Sequence, residues 1–322
     1  MIKLDRKKLF KIHSWIGIKL SVLFFVVCFS GTLATLSHEM DWLFIPESRA
    51  YSSEATPQAA LVPHNQIAAN IHTAFPDGKI VYWITPEEPY LCNIIHLVQD
   101  GQRHFTVLVF GFMLLISLLT ALFFYKKWYR KLFELKTGKG AIVFFRSLHR
   151  LVGVWSVPFT ILFSVTGIWY FVERVNVGGV STIANTQAPQ LSEPIADSAA
   201  FAEIQRTFDI NQAVKVAQLE IEGLVVKDIL PPARPTSALY LTGKSDEPLV
   251  RNRANRVYLH PTTFEVLKVQ RASSLPTVTW LNDIADPLHF GNWGGLITKI
   301  IWFLLGLGIS SLVLTGIFWL FI

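Results

Sequence analysis

Four long apolar runs alternate with polar segments along the chain. The runs cover residues 12–36, 105–125, 151–172 and 296–322. Each run has about the 20 apolar residues that a helix needs to cross a bilayer. The first run is too long for the apolar part of a signal peptide and no small-x-small cleavage site follows it, so we interpret it as a retained span. The pattern predicts four transmembrane helices.

Lysine and arginine are concentrated in two of the short polar segments, residues 1–11 and 126–150. Because cytoplasmic loops carry an excess of these residues, we expect both segments on the cytoplasmic side of the membrane. Residues 37–104 and 173–295 would then be periplasmic, and both termini would be cytoplasmic. The sequence therefore predicts a multi-pass protein of a bacterial inner (cytoplasmic) membrane.

The two outer segments have secondary-structure patterns of their own. Residues 65–88 predict a helix, a Pro-Asp-Gly turn and a strand, and residues 251–273 predict a hairpin around a Pro-Thr-Thr turn. Residues 183–200 are rich in Ala, Ser, Pro and Asn, which is typical of a flexible connection. We expect both segments to contribute to a small α+β module outside the membrane.

An internal repeat connects the four runs. The pattern H-x3-G-x13-G begins at His13 and again at His149, an offset of 136 residues. Residues 120–124 resemble residues 315–319 at an offset of 195. The predicted fold class is thus a mainly α membrane protein whose four transmembrane helices form two span–outer segment–span repeats. Such repeats in membrane proteins often frame a site at their interface.

Composition agrees with a membrane protein and excludes several function classes. The chain is 51% hydrophobic and 16% charged, with a mean hydropathy of +0.40. Its net charge of +6 is explained by topology signals beside the spans and does not require a nucleic-acid partner. There is no CxxC, CxxCH, GxGxxG or P-loop motif, which argues against zinc ribbons, thioredoxin-like redox, c-type haem and nucleotide-binding domains.

Two histidines occupy equivalent places at the cytoplasmic ends of the first and third runs. His13 and His149 are each followed, one helical turn later on the same face, by Gly17 and Gly153. A zinc site would require three or four ligands, but few carboxylates are near in sequence. Haem requires two axial ligands and tolerates apolar walls. We therefore expect both histidines to bind haem, with the glycines leaving a slot for the flat ring. A haem shared between them is the simpler arrangement, and pairing of each with His289 or His96 stays open.

A second pair of histidines precedes the other two runs. His96 in NIIHLVQDG and His289 in DPLHFGNWG are candidates for a second haem on the outer side, in a short helix or re-entrant piece. A second haem is expected because one cannot carry an electron across a span of about 33–38 Å. His38 and His104 are alternative ligands that the sequence leaves open.

Three segments carry a family resemblance. KLFKIHSWIGIKLSVLFFVVCFSGTLATLSHEMDWLF, FRSLHRLVGVWSVPFTILFSVTGIWYF and DPLHFGNWGGLITKIIWFLLGLGISSLVLTGIFWLF resemble the PepSY-associated transmembrane helix family. NRVYLHPTTFEVLKV resembles a PepSY-type hairpin. The resemblance implies a PepSY-like periplasmic module and similarity to inner-membrane dihaem ferric-siderophore reductases. It implies that His13, His149, His96 and His289 are axial ligands of two b haems, although NIIHLVQDG departs from the P-L-H-x-G form.

The first functional hypothesis is a transmembrane ferric reductase. Electrons from a cytoplasmic donor or a quinol would cross two b haems and reduce a ferric siderophore or another ferric chelate in the periplasm. The alternative is a non-enzymatic, membrane-anchored binding or regulatory protein of the PepSY type. A metal or siderophore transporter ranks last, because the spans lack internal carboxylates and a pair of broken helices.

Overall fold

A computed structural model describes residues 5–46, 49–50, 62–76, 78–86, 88, 90–98, 110–125, 127–195 and 197–318. The chain divides into two units. The helical unit comprises residues 1–37, 106–181 and 288–322, and the sheet unit comprises residues 38–105 and 182–287.

The described residues form helices and strands with these bounds. The helices are α1 (Arg6–Lys19), α2 (Ser21–Ala34), α3 (Ser37–Phe44), α4 (His64–Ala74), α5 (Phe110–Phe124), α6 (Ala141–Trp155), α7 (Val157–Val175), α8 (Val180–Ala184), α9 (Ser198–Thr207), α10 (Ile210–Glu220), α11 (Thr277–Phe290) and α12 (Gly295–Phe318). The strands are β1 (Lys79–Ile84), β2 (Ile94–Val98), β3 (Val225–Leu230), β4 (Leu239–Lys244), β5 (Asn255–Leu259) and β6 (Val266–Gln270).

The prediction of four transmembrane helices is wrong. In the described part of the chain, one helical stretch, Asn292–Phe318, is long and apolar enough to cross a membrane. There are up to three if each bent pair, α1 with α2 and α6 with α7, counts as one span. The described part of the second run is the 15-residue helix α5, about 22 Å long, which is shorter than a hydrocarbon core of about 30 Å. Residues 105–109 and 319–322 of the runs lie outside the described residues.

Both bent pairs break at the same position of the internal repeat. The axis bends by 68° between α1 and α2 and by 58° between α6 and α7. The intervening residues are Leu20 and Ser156, which are 136 residues apart, as His13 and His149 are. Pro158 is the second residue of α7, and proline disrupts the preceding helical turn. A hydropathy pattern does not register such breaks, because apolar residues continue on both sides.

The breaks let each bent pair exchange its packing partner. The first helix of one pair, α1, packs on α5, whereas α2 packs on α12. The second pair does the reverse, because α6 packs on α12 and α7 packs on α5. A Cβ atom added to Gly306 of α12 would lie 2.4 Å from Thr32 Oγ1 of α2, so this crossing depends on a glycine. The repeat is thus expressed in packing as well as in sequence.

The sheet unit contains one antiparallel six-stranded sheet of order β2-β1-β3-β4-β5-β6. The strands β1 and β2 come from the first outer segment, and the other four come from the second. The segments join where Trp83 of β1 pairs with Ile229 of β3. The hairpin predicted around the Pro-Thr-Thr turn is confirmed as β5 and β6, and the helix and strand predicted within residues 65–88 are confirmed as α4 and β1.

Alternation along the strands gives the sheet an apolar face. Leu239 and Leu241 of β4 are buried with Val257 and Leu259 of β5, because alternate residues of a strand point to the same side. Buried residues of α4 and α10 complete this core; they are Ala68, Ile210, Ala213 and Ala217. Burial of branched side chains on this face is the main stabilising contribution.

The prediction of a flexible connection over residues 183–200 is wrong for much of this segment. Leu191 is buried, and its backbone N–H donates to the carbonyl of Thr236 at 2.9 Å. The carbonyls of Thr186 and Gln187 accept hydrogen bonds from the Arg256 and Lys268 side chains. A composition rich in small and polar residues did not reveal these contacts, since the partners are at least 45 residues away in sequence.

Candidate functional site

His13 is held by a neighbouring helix of the helical unit. Its Nδ1 atom lies 3.0 Å from the carbonyl oxygen of Ser117 in α5 and 3.2 Å from the Ser117 hydroxyl. A carbonyl oxygen can only accept a hydrogen bond. The hydrogen-bond network therefore assigns the proton of the neutral His13 ring to Nδ1.

His149 has an equivalent arrangement. Its Nδ1 atom lies 2.8 Å from the hydroxyl oxygen of Thr315 in α12. The single hydroxyl hydrogen of Thr315 is donated to the carbonyl of Ser311, at 2.8 Å. With its hydrogen directed to a backbone carbonyl, the Thr315 oxygen accepts from His149, and this network assigns the proton of the ring to Nδ1 as well. His149 and His13 are near enough for their charges to interact.

His289 repeats this chemistry at the end of α11. Its Nδ1 atom lies 2.7 Å from the hydroxyl oxygen of Thr166 in α7. Thr166 donates its own hydrogen to the Leu162 carbonyl at 2.8 Å, so it accepts from His289. The rings of Phe163, Tyr170 and Phe290 surround the imidazole at centroid distances of 5.5, 5.3 and 5.1 Å.

The hydrogen-bond network thus assigns one tautomer to the three histidines. With the proton on Nδ1, the lone pair of the neutral ring is on Nε2, which is the nitrogen that would bind a metal. His260 in the sheet unit is different, because its Nδ1 accepts from the backbone N–H groups of Thr262 and Thr263 in the β5–β6 turn. The shared tautomer is therefore a property of the histidines in the helical unit.

A cavity of about 320 Å³ in the helical unit includes His289 in its wall. This volume is in the range of small-molecule and cofactor sites. The wall is mainly apolar and aromatic, with a few hydroxyl groups and one thiol. It is formed by Phe24, Val27, Cys28, Gly31, Thr32, Thr35, Gly111, Leu114, Phe163, Gly167, Tyr170, His289, Phe290, Trp302, Gly306 and Ile309.

The two glycines beside the inner histidines are not sites of close packing. A Cβ atom added to Gly17 would meet no atom within 4 Å, and one added to Gly153 would meet Leu312 Cδ2 at 3.8 Å. Gly17 is exposed and Gly153 is half-buried, so the slot predicted beside them stays a prediction. The close helix contacts are at other glycines. A Cβ atom on Gly111 of α5 would lie 2.9 Å from the backbone nitrogen of Ile168 in α7.

His96 lies in the sheet unit and not on a helix or re-entrant piece. It is an exposed residue of β2, opposite Tyr82 of β1, with ring centroids 5.9 Å apart. Burial and the nearby Asp228 carboxylate raise the pKa of Tyr82 to about 12. The alternative ligand His38 is exposed on α3, and His104 lies outside the described residues. The structure therefore places His13, His149 and His289 in one unit and His96 in the other.

A family model described as PepSY-associated TM region matches residues 10–321. The chain belongs to the PepSY-associated transmembrane family. No curated protein matches the chain. Family membership agrees with the resemblance seen in the sequence, and with the apolar helix α12 it identifies a membrane protein.

Sequence reasoning missed the hydroxyl residues that orient the histidines of this PepSY-associated chain. Ser117, Thr166 and Thr315 lie within apolar runs, where a hydroxyl group needs a partner because no water is present. Polar residues within apolar runs were the signal that could have identified them as hydrogen-bond partners. The pairing with a histidine was not predictable, since each partner is more than 100 residues away.

Proposed function

We propose that this PepSY-associated protein binds haem b through histidines of its helical unit and transfers electrons across the membrane. The observation that supports the proposal is the common Nδ1–H tautomer of His13, His149 and His289. Histidines that bind a metal almost always donate their other ring N–H to a fixed oxygen, which sets the ring orientation and increases its basicity. Ser117, Thr315 and Thr166 supply that oxygen.

The residues suit haem better than a bare metal ion. Among the described residues, no group of three or more His, Cys, Asp or Glu could hold an ion, whereas zinc sites usually use at least three protein ligands. Haem takes two axial ligands and fits apolar walls such as those around His289. Bound haem would supply an iron that alternates between ferric and ferrous states and so accepts and gives one electron at a time.

Two haem sites are proposed at different depths. His13 and His149 would bind the inner haem, and the cations Arg146 and Arg150 beside His149 would suit its propionates. His289 would bind the outer haem at the wall of the cavity. The role of His96 as a second outer ligand stays a prediction from the sequence. Two sites are expected because the hydrocarbon core is about 30 Å thick.

The proposed substrate is a ferric siderophore or another ferric chelate in the periplasm. Reduction of iron(III) to iron(II) by one electron weakens its binding to hard oxygen ligands and would release the metal. The donor would be a separate cytoplasmic protein or a quinol, because the chain has no nucleotide-binding motif. We place the protein in a bacterial inner membrane, with the basic residues 126–150 on the cytoplasmic side.

The test is a spectrum of the full-length protein purified from cells supplied with haem. We expect a b-type spectrum in the reduced state and a pyridine haemochrome with about two haems per chain. The substitution His149→Ala should remove the inner haem and leave about one. The control is His260→Ala, since the ring of His260 accepts a hydrogen bond in a turn of the sheet unit.

A colourless protein from haem-supplied cells would overturn the proposal and favour the non-enzymatic binding or regulatory function. An unchanged haem content in His149→Ala would reject the inner assignment. If the protein binds haem but reduces no ferric chelate in reconstituted vesicles, the proposed substrate is wrong. The proposal of electron transfer is not contradicted by that result.

A further inference from the structure

A basic segment between α5 and α6 has an unusual composition. We call residues 127–139 the basic strap. It contains five cations and one carboxylate, Glu134; the cations are Lys127, Arg130, Lys131, Lys136 and Lys139. Glu134 contacts Lys131 at 3.6 Å and Lys136 at 3.4 Å. The strap therefore retains a clear positive charge after this carboxylate is counted.

The basic strap runs antiparallel along α6. The backbone nitrogen of Lys136 donates to the Ser147 hydroxyl at 3.0 Å. The Arg150 guanidinium donates to the carbonyl of Glu134 at 2.8 Å. The indole of Trp155 donates to the carbonyl of Leu132 at 2.7 Å. These contacts extend over nine residues of α6, from Ser147 to Trp155, or about 12 Å of the helix.

This arrangement determines where α6 can lie. Charged groups are costly in hydrocarbon, and Lys131, Glu134 and Lys136 accompany the helix from Ser147 to Trp155. Hydrocarbon therefore disfavours the stretch of α6 beside the strap, whereas the polar interface of a membrane suits it. The bend of 58° after Trp155 separates this stretch from α7.

The strap and the end of α6 also expose aromatic side chains. Phe133 is 81% exposed, Trp155 is 56% exposed and Tyr129 is 53% exposed. Phe133 and Trp155 pack edge to face with their ring centroids 5.6 Å apart. Exposed aromatic residues that alternate with cations are unfavourable in water but suit the membrane interface, where rings contact acyl chains and cations contact headgroups.

We propose that the basic strap and α6 form an interfacial layer that binds the phosphate groups of anionic lipids. The charge favours an anionic partner, and the exposed rings beside the cations favour a lipid over an acidic protein, whose surface would offer carboxylates but no acyl chains. This inference rests on the contacts of the strap alone and is independent of haem.

The test compares lipid binding to the full-length protein in detergent by native mass spectrometry, with equal amounts of phosphatidylglycerol and phosphatidylcholine. The wild-type protein should retain phosphatidylglycerol preferentially. The triple variant Lys127→Gln, Arg130→Gln, Lys139→Gln should lower the ratio of the two bound lipids by roughly tenfold. The matched control, Lys79→Gln, Lys215→Gln, Arg234→Gln, removes three exposed cations of the sheet unit and should leave the ratio unchanged.

Two further variants separate charge from apolar contact. Glu134→Gln removes the carboxylate from the strap and should raise the preference for phosphatidylglycerol about two- to fivefold. Phe133→Ser should weaken binding of both lipids equally, whereas Phe75→Ser, at a phenylalanine of the sheet unit that is 52% exposed, should weaken neither.

Hydrogen exchange in nanodiscs provides a readout that needs no substitution. Amides of the strap should exchange more slowly in discs that contain phosphatidylglycerol than in discs of phosphatidylcholine alone. Equal amide exchange rates in both discs, or a triple variant with the wild-type ratio of bound lipids, would overturn the proposal. Either result would instead favour an acidic protein as the partner of the strap.

Discussion

The helical unit and the sheet unit use their histidines in different ways. In the helical unit, His13, His149 and His289 each donate from Nδ1 to an oxygen on another helix. In the sheet unit, His260 accepts within its own turn and His96 is exposed on a strand. The first arrangement fixes the orientation of each ring against another helix, whereas the second stabilises a local turn. Residue type alone therefore does not separate these two groups of histidines; the partner and direction of their hydrogen bonds do.

The two units also differ in the interactions that stabilise them. The sheet unit buries the Asp283 side chain, which accepts from Arg251 at 2.9 Å and from Arg253 at 3.2 Å. The ion pairs of Glu134 in the helical unit are half-exposed, and the helices of this unit pack through hydroxyl groups and close glycine contacts. A buried ion pair should thus stabilise one unit and steric fit the other, which can be tested separately.

The largest effect is expected at the ion pairs of the sheet unit. Asp283→Ala should lower the free energy of unfolding by about 2–4 kcal/mol, because Arg253 loses its ion pair and Arg251 keeps Asp286 but loses its buried partner. The measurement is chemical unfolding of the purified protein, with protection of the sheet unit from proteolysis as a second readout. Glu222→Ala, at an exposed acid of the same unit, should change stability by less than about 0.5 kcal/mol. Equal effects for both variants would contradict the role of Asp283.

The next largest effect is expected in the helical unit, where close packing of helices depends on Gly306. Gly306→Ala should destabilise the α2–α12 contact by about 1–3 kcal/mol, because the added Cβ atom overlaps Thr32 Oγ1. The measurement is the thermal unfolding of the protein in detergent. The double variant with Thr32→Ala should recover most of the loss. The control Gly31→Ala adds a Cβ atom that meets nothing within 4 Å, and a loss there equal to that of Gly306→Ala would disprove the steric explanation.

A smaller effect is expected at the hydroxyl that orients His149. Thr315→Val removes the acceptor of the Nδ1 proton and should weaken haem binding by about tenfold or more. Haem titration of the apoprotein gives the affinity, and the reduced spectrum should shift with it. Ser164→Ala is the control, because the buried Ser164 hydroxyl donates to the carbonyl of Thr160 in its own helix. Equal losses in both variants would show a general packing effect.

The smallest effect concerns a buried acid of the sheet. Burial raises the pKa of Asp228, although hydrogen bonds from Thr242 and Tyr82 and the charge of Lys227 oppose this shift. The unfavourable ionisation is absent below the ordinary pKa of about 3.9 and is complete above the raised pKa. Asp228→Asn should therefore stabilise the protein at pH 7 by at most about 1 kcal/mol, and the gain should vanish as the pH falls to about 3. A gain that is independent of pH would contradict this explanation.

Local patterns allowed the sheet unit to be predicted in part. The β5–β6 hairpin followed from alternating apolar residues around the Pro-Thr-Thr turn, and α4 with β1 followed from a Pro-Asp-Gly turn. These elements depend on residues close in sequence. The strand β2 was missed, although Ile95 and Leu97 alternate with His96, because His96 had been interpreted as a ligand near a span.

The candidate site was predicted as a set of residues but not as a geometry. The 136-residue repeat selected His13 and His149, and the structure places both in the helical unit at equivalent positions before a break. Composition did not predict the breaks at Leu20 and Ser156, since the apolar runs continue through them. The number of spans was overestimated because of these breaks and because the described helix of the second run, α5, has only 15 residues.

The sequence by itself determined the membrane character of the chain, its internal repeat and its local hairpin, because these follow from residue type, spacing and neighbours. Only the tertiary structure decided the tautomers of His13, His149 and His289, because their hydrogen-bond partners are 104, 166 and 123 residues away. The tertiary structure likewise decided that the basic strap packs along α6. The contacts between Lys136 and Ser147 and between Leu132 and Trp155 form only when the chain folds back on itself.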